Sequence, residues 1–143
     1  MSRCTCYFAG FDEIEDIQVR PGIYEIFTSY DLPLKVGIAS NLRSRLKDHG
    51  NSRSSGLKIS SSASSPNPSD VSSKKSILAK HLYFDSSLSS GYDFRYEVER
   101  QEFLLHDCYI LFSYTRTRDL ARKLEFVKEK SGAYRYIGPV RKR

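Results

Sequence analysis

Residues 22–49, GIYEIFTSYDLPLKVGIASNLRSRLKDH, decide the fold of this chain. Residues 22–28 alternate from one face to the other and are rich in the β-branched and aromatic side chains typical of a strand. Residues 29–33 contain the turn formers serine, aspartate and proline, and residues 34–38 are again mostly apolar. The first part of the stretch therefore predicts a hairpin, and the helical spacing of its last residues, up to residue 49, predicts a helix.

This helix carries the charged side chains of the stretch. The serine and asparagine at residues 40–41 are residue types that accept hydrogen bonds from the free backbone N–H groups at a helix start. Leu42 and Leu46 lie four residues apart and are expected to face the sheet, whereas Arg45 and His49 form a neighbouring row. The side chains of this second row can converge on one ligand.

Gly50 is expected to end this helix, because glycine tolerates the positive φ found there. Residues 51–76 then contain 12 serines, Pro66 and Pro68, and few large apolar side chains. Such a segment buries too little surface to offset its ordering entropy, so we expect a flexible insertion. We interpret it either as a solvated linker or as a loop that orders on nucleic acid through its cations Arg53, Lys58, Lys74 and Lys75.

The rest of the chain supplies further strands and helices. A helix is predicted over residues 76–84, and residues 6–9 are a candidate first strand. The apolar run 108–114, CYILFSY, predicts a buried central strand. A last helix is expected to start at residues 117–118, with Glu125 beside a core face formed by Leu120, Leu124 and Val127.

Length and composition favour a single domain, residues 1–143, with one modest core. Lys and Arg number 23 against 17 Asp and Glu, and the net charge of +6 favours polyanion partners such as nucleic acid. Cys4, Cys6 and Cys108 lack the second pair that a zinc site of Cys-x-x-Cys type requires. No long apolar run and no apolar leader are present, so we expect a cytoplasmic protein that crosses no membrane.

Five side chains could act together on a phosphodiester if the hairpin and the two helices enclose one cleft. Glu125 can hold Mg²⁺, which takes one or two carboxylates together with water and phosphate oxygens. Arg45 offers a planar donor fork to phosphoryl oxygens. An ammonium at Lys35 would favour the phenolate of Tyr24 as a base for water, and His49 could relay the proton. Taken singly, each residue also has an ordinary explanation, such as packing for Tyr24 or protection of a sheet edge for Lys35.

The joint spacing of these residues resembles the GIY-YIG nuclease family. Residues 22–24 are Gly-Ile-Tyr, and residues 35–37 are Lys-Val-Gly where the family has Tyr-Ile-Gly or Tyr-Val-Gly. Arg45 and His49 follow the family's helix pattern. Residues 118–125, RDLARKLE, are similar to the later helix whose glutamate binds the metal.

The resemblance implies a small α/β (α+β) domain in which a central antiparallel three-stranded sheet is flanked by helices. It implies DNA cleavage with one Mg²⁺ or Mn²⁺ ion, with Tyr24 near the nucleophilic water, Arg45 on the phosphate and Glu125 on the metal. Two features depart from the family pattern. Lys35 replaces the second tyrosine, a change that resembles certain restriction enzymes in which lysine is thought to assist the first tyrosine, and no asparagine follows Asn67.

Three function classes follow from the sequence. We prefer a DNA endonuclease over a catalytically inactive nucleic-acid-binding module of the same fold and over an interaction protein that uses its serine-rich segment. One single-metal site cuts one strand at a time, so a homodimer would permit double-strand cleavage. The cations expected to contact DNA are those of the insertion together with Arg43, Lys47, Arg141, Lys142 and Arg143.

Overall fold

The computed structural model of the chain describes residues 5–52, 57–59, 71–73, 77–85, 88 and 91–136. Six strands, one 3₁₀-helix and four α-helices lie in these ranges. The strands are β1 (Tyr7–Ala9), β2 (Gly22–Thr28), β3 (Pro33–Ala39), β4 (Leu57–Ile59), β5 (Val71–Ser73) and β6 (Cys108–Tyr114). The helices are the 3₁₀-helix Phe11–Asp16, α1 (Leu42–Asn51), α2 (Ile77–Phe84), α3 (Glu97–Asp107) and α4 (Arg118–Lys130).

The strand β2 lies inside a four-stranded antiparallel sheet with the order β1-β6-β2-β3. The predicted hairpin β2-β3 and the predicted strand at Cys108–Tyr114 are confirmed. The expected three-stranded sheet is corrected to four strands, because Tyr7, Phe8 and Ala9 pair with the outer edge of β6. The candidate strand at residues 6–9 is thus confirmed as β1, although the resemblance did not count it in the sheet.

The two faces of the sheet bury different helices, because successive side chains along a strand point to opposite faces. On one face, Tyr24 and Ile26 belong to the main core, together with residues of the 3₁₀-helix, α1, α2 and α3. On the other face, Ile23 and Val36 pack with Ala121 of α4. The hairpin therefore lies between two layers and can receive side chains from both.

The helix α4 faces the sheet through a side that overlaps only partly with the one that its apolar pattern predicts. The sequence predicts a core face of Leu120, Leu124 and Val127. Leu124 is confirmed, since it is partly buried and packs on the cluster of Ile23, Val36 and Ala121. Leu120 and Val127 are instead 45% and 68% exposed, whereas Ala121 is fully buried. The small side chain of Ala121 permits a close approach to the sheet, and Lys128 pairs with Glu25 of β2 at 3.0 Å. These long-range contacts, rather than the apolar stripe, set the orientation of the helix.

The helix α1 starts where the sequence predicts and ends later. Asn41 caps it by accepting a hydrogen bond at 3.1 Å from the backbone N–H three residues on. The expected end at Gly50 is corrected, since the helix continues to Asn51 and Ser52 takes the left-handed conformation with φ 43°. Gly50 instead packs against the 3₁₀-helix, where an added Cβ would lie 3.1 Å from the ring of Phe11.

The end of α1 is held by the guanidinium of Arg100 on α3, a residue that is fully buried. Its Nη2 donates to Ser52 O at 2.6 Å, and its Nε donates to the Ser52 hydroxyl at 3.0 Å. Its Nη1 donates to Phe94 O at 2.8 Å. These hydrogen bonds offset the cost of burying the charge, and they join α1, α3 and the segment before α3.

Two short strands lie within the serine-rich segment. β4 and β5 pair antiparallel, with Leu57 opposite Ser73 and Ile59 opposite Val71. The predicted flexibility of residues 51–76 concerns mostly residues outside the described ranges, and it stays a prediction.

The described helices are short. α2 confirms the helix predicted over residues 76–84. α4 spans 13 residues, most of them charged. Among the described residues, no helix has the length and apolar character that crossing a membrane requires.

Replacing Arg100 with alanine is expected to destabilise the protein by about 3 kcal/mol or more, because buried acceptors at two positions lose their donors. Urea unfolding followed by circular dichroism measures the change. Arg95→Ala is the matched control, because Arg95 is exposed and pairs locally with Asp93. Equal stability of the Arg100→Ala and Arg95→Ala proteins would contradict the role of Arg100 as a buried anchor.

Candidate active site

Tyr24 of β2 and His49 of α1 form a buried pair. The Tyr24 hydroxyl oxygen lies 2.6 Å from His49 Nε2, and the two residues are 1% and 0% exposed. Their rings are tilted by 58°, with centroids 5.4 Å apart. The structure thus brings two of the predicted site residues into direct contact.

Two glycines permit close packing around β2, and one of them, Gly37, adjoins this pair. Gly37 lies opposite Tyr24 in the β2-β3 ladder, and a Cβ at residue 37 would collide with the Tyr24 hydroxyl and ring. A Cβ at Gly22 would collide with the side chain of Leu42 on α1 and with the backbone oxygen of Ser113 on β6. Close approach of neighbouring atoms therefore explains why both positions carry glycine.

Both members of the pair are uncharged near neutral pH. Burial raises the pKa of Tyr24 to about 12, and the Arg45 guanidinium, which hydrogen-bonds to the phenol, opposes this rise. Burial lowers the pKa of His49 well below its usual value, and the charges of Arg45 and Lys35 lower it further. Burial dominates the pKa of Tyr24, and the cation that lowers it is Arg45. The expected assistance of Tyr24 by Lys35 stays a prediction.

Lys35 on the edge strand β3 is the second cation of the cluster. It is 7% exposed, which is unusual for a lysine on a sheet edge. Burial lowers its pKa, and repulsion from Arg45 lowers it further, whereas Glu129 and Glu125 of α4 raise it. The charge of Lys35 is thus in electrostatic range of both neighbouring helices.

Glu125 brings a carboxylate to the cluster from the opposite layer, and it is partly buried. Burial raises its pKa, and repulsion from Glu129 raises it further. Lys35, Arg118 and Arg122 oppose this rise. All five residues predicted for catalysis and metal binding therefore lie within one electrostatically coupled cluster.

An open cleft of about 390 Å³ adjoins this cluster. Arg45 lines the cleft, so its half-buried side chain lies between the cleft and the phenol of Tyr24. Arg118 lines it from the first turn of α4. The other lining residues are mostly polar: Ile38, Ala39, Ser40, Asn41, Ser44 and Asp48. This composition suits a charged, hydrogen-bonding ligand.

Three residues near the site were not predicted from the sequence: Arg118, Glu129 and Asp48. A spacing signal was present for each of them. Arg118 precedes Glu125 by seven residues and Glu129 follows it by four, which places all three along one side of α4. Asp48 follows Arg45 by three residues on α1. These spacings identify site residues only if the side of α4 that faces the sheet is known, and the sequence predicts that side correctly for Leu124 alone.

The structure does not bring Arg43 and Lys47 to the cluster. Arg43 Nε donates to Ile17 O at 2.6 Å, and Lys47 pairs with Glu15 at 2.8 Å. Both side chains are thus directed to the segment around the 3₁₀-helix. The backbone of Lys58 lies in β4. The other cations predicted to contact DNA lie outside the described residues: Arg53, Lys74, Lys75, Arg141, Lys142 and Arg143.

The residues of the cluster fit a single divalent cation held by one carboxylate. Within the described ranges, no three His, Cys, Asp or Glu side chains are grouped as metal ligands. Mg²⁺ needs no such group, because water and phosphate oxygens complete its coordination. The repulsion between Glu125 and Glu129 also favours cation binding at this site, because a bound cation would relieve that repulsion.

Comparisons with models of protein families, with curated proteins and with solved structures yield no match to this chain. The fold itself is mixed α/β with an antiparallel sheet, as the sequence predicts at the level of class. What the cluster can do is therefore inferred from its own geometry and chemistry.

The buried His49 predicts that stability depends on pH. Because the pKa of His49 is lowered in the folded state, the unfolded chain takes up this proton first as the pH falls below about 6.5. The stabilisation is complete above that pH and is lost toward the lower folded-state pKa, with a slope of up to about 1.4 kcal/mol per pH unit. Urea unfolding at several pH values measures this slope.

His49→Gln is expected to flatten the dependence, because glutamine does not titrate. His106→Gln is the matched control, since His106 is exposed and pairs with Glu102 four residues away. An identical slope in wild type and His49→Gln would show that His49 is not held neutral.

Proposed function

We propose that the chain is a divalent-metal-dependent DNA endonuclease that hydrolyses phosphodiester bonds. The observation that carries this proposal is the convergence of Tyr24, Lys35, Arg45, His49 and Glu125, which come from β2, β3, α1 and α4. Catalytic sites typically contain titratable groups that lie beside a cleft, have shifted pKa values and interact with the same neighbouring charges. A buried polar cluster also costs stability, so its presence favours a functional role.

The resemblance to the GIY-YIG nucleases supports the same proposal. The Gly-Ile-Tyr strand, the Lys-Val-Gly strand and the arginine-bearing helix follow one another directly in an antiparallel α/β fold. The residues that would bind phosphate and metal in such an enzyme, Arg45 and Glu125, both act electrostatically on Tyr24.

The proposed reaction is attack of water on a phosphorus atom whose oxygens are held by Arg45. Water gives a proton to the Tyr24 oxygen while the Tyr24 hydroxyl gives its own proton to His49 Nε2, so no free phenolate is required. The new P–O bond forms as the bond to the leaving sugar oxygen breaks, and that oxygen takes a proton from solvent. The relay then runs in reverse: His49 returns the proton to the Tyr24 oxygen, and Tyr24 releases the proton it took from water to solvent.

Two cations stabilise the charge that builds up on the phosphoryl oxygens. Arg45 can donate two parallel N–H hydrogen bonds, and the desolvated ammonium of Lys35 exerts a stronger field than it would in water. The same negative charge favours the protonated form of His49, whose pKa is low in the free protein because of burial and these cations. A divalent ion held by Glu125 would supply Lewis-acid polarisation of the phosphate.

A catalytically inactive nucleic-acid-binding module is the alternative function. The complete burial of Tyr24 favours it, because water must reach the phenol for the proposed reaction. The carboxylates of Glu125 and Glu129 disfavour it, because they oppose anion binding unless a cation lies between them and the phosphate.

The proposal includes DNA as the partner, Mg²⁺ or Mn²⁺ as the cofactor and the cytoplasm as the location. A homodimer is part of it for double-strand cleavage, since each site would cut one strand.

Supercoiled plasmid incubated with the protein and Mg²⁺ or Mn²⁺ is expected to be nicked, and EDTA is expected to prevent nicking. Glu125→Gln and Tyr24→Phe are expected to lower the nicking rate by about 100-fold or more, since each removes a group that acts in the transition state. Glu99→Gln on α3 is the matched control, because it removes the same charge away from the cluster. Gel electrophoresis of time courses measures the rates.

Thermal unfolding in EDTA checks that the variants fold. Because the pKa of Glu125 is raised in the folded protein, Glu125→Gln is expected to unfold at an equal or higher temperature than wild type. Equal nicking by wild type and Glu125→Gln would refute the endonuclease proposal. DNA binding without nicking by wild type would support the binding module instead.

A further inference from the structure

The cleft beside the catalytic cluster contains a second arginine that the proposed reaction does not use. Arg118 and Arg45 line it from two different helices, α4 and α1. The neutral polar side chains Ser40, Asn41 and Ser44 lie in the same cleft. Hydroxyl and amide groups beside guanidinium groups are donors suited to phosphate oxygens.

The guanidinium of Arg118 is available to a ligand. In the part of the chain that the structure describes, it forms no hydrogen bond or ion pair, and the residue is exposed. Other arginines of this protein are bound by the fold itself: Arg43 donates to Ile17 O, and Arg135 pairs with Asp85. Arg118 therefore contributes little to holding the fold together, although it lies in a concave polar site.

The orientation of the two helices adds to this positive character. α1 begins beside Asn41, and α4 begins at Arg118 itself. A helix start carries partial positive charge from the aligned peptide dipoles, so both helices favour an anion here, although Asn41 and Thr117 already accept hydrogen bonds from N–H groups of the first turns. Asp48 is the one carboxylate among the residues that line the cleft, and its charge opposes an anion.

We propose that this cleft binds the phosphate group next to the one that is hydrolysed, so that Arg45 and Arg118 hold two neighbouring phosphates of one nucleic-acid strand. The inference rests on the proposed endonuclease function and extends it to the substrate. Arg45 contacts Tyr24 and also lines the cleft. A strand whose reacting phosphate lies at Arg45 would therefore extend through the cleft, and its next phosphate would lie at Arg118. The substrate class is thus a strand with at least two consecutive phosphates, not an isolated phosphodiester.

Binding of a fluorescent 12-base-pair DNA duplex in EDTA, measured by anisotropy over a range of salt concentrations, tests this inference. Arg118→Gln is expected to weaken binding by roughly tenfold and to reduce the slope of log affinity against log salt by about 0.9, because one phosphate contact is lost. Arg118→Lys is expected to retain the slope. Asp48→Asn is expected to bind more tightly than wild type, because it removes the opposing charge.

Lys123→Gln is the matched control, because Lys123 is an exposed cation of the same helix that does not line the cleft. It is expected to bind like wild type. In plasmid nicking with Mg²⁺, Arg118→Gln is expected to raise KM while kcat stays close to the wild-type value, since the reacting phosphate keeps its own contacts.

Equal binding by Arg118→Gln and Lys123→Gln, with normal binding and nicking by wild type, would overturn this inference and leave the endonuclease proposal intact. Failure of wild type both to bind DNA in EDTA and to nick it with Mg²⁺ would overturn both. A loss of kcat with an unchanged KM in Arg118→Gln would also contradict a substrate-binding role and would point instead to an effect on Glu125.

Discussion

The buried hydrogen bond between the Tyr24 hydroxyl and His49 Nε2 joins β2 to α1 at the centre of the candidate site. It requires α1 to pack directly on β2. It also requires glycine at residue 37, because a Cβ there would collide with the phenol of Tyr24. Tyr24 belongs to the main core and His49 is fully buried, so in the free protein the hydrogen bond is shielded from solvent. Arg100 contributes to the position of His49, because it binds the end of α1 at Ser52 and His49 lies in the last turn of that helix.

The cluster concentrates like charges where the two layers meet. Lys35 and Arg45 repel each other, and so do Glu125 and Glu129. These repulsions and the burial of the groups raise the free energy of the unliganded protein. A phosphate between the cations and a divalent ion beside the carboxylates would relieve both repulsions. The contacts that destabilise the free protein are therefore expected to favour the protein with its ligands bound.

Short-range patterns predict much of the fold, and long-range contacts decide the rest. The hairpin, α1 and the strand Cys108–Tyr114 follow from alternation, turn residues and a capping asparagine, all local signals. The side of α4 that faces the sheet depends on Ala121 and on the ion pair between Lys128 and Glu25, partners about a hundred residues apart in sequence. The same limit applies to the site: spacing selects Tyr24 as a candidate, but packing alone fixes its high pKa.

Residues from two strands and two helices meet at one site, and we propose that this site binds a divalent metal ion. Paramagnetic broadening by Mn²⁺ in ¹H–¹⁵N NMR spectra of the full chain tests this claim most directly. The account predicts that substoichiometric Mn²⁺ broadens the amide signals around Lys35, Arg45 and Glu125 first, and that Glu125→Gln removes this effect. Undiminished broadening in Glu125→Gln, or broadening centred on the acidic 3₁₀-helix Phe11–Asp16, would contradict it.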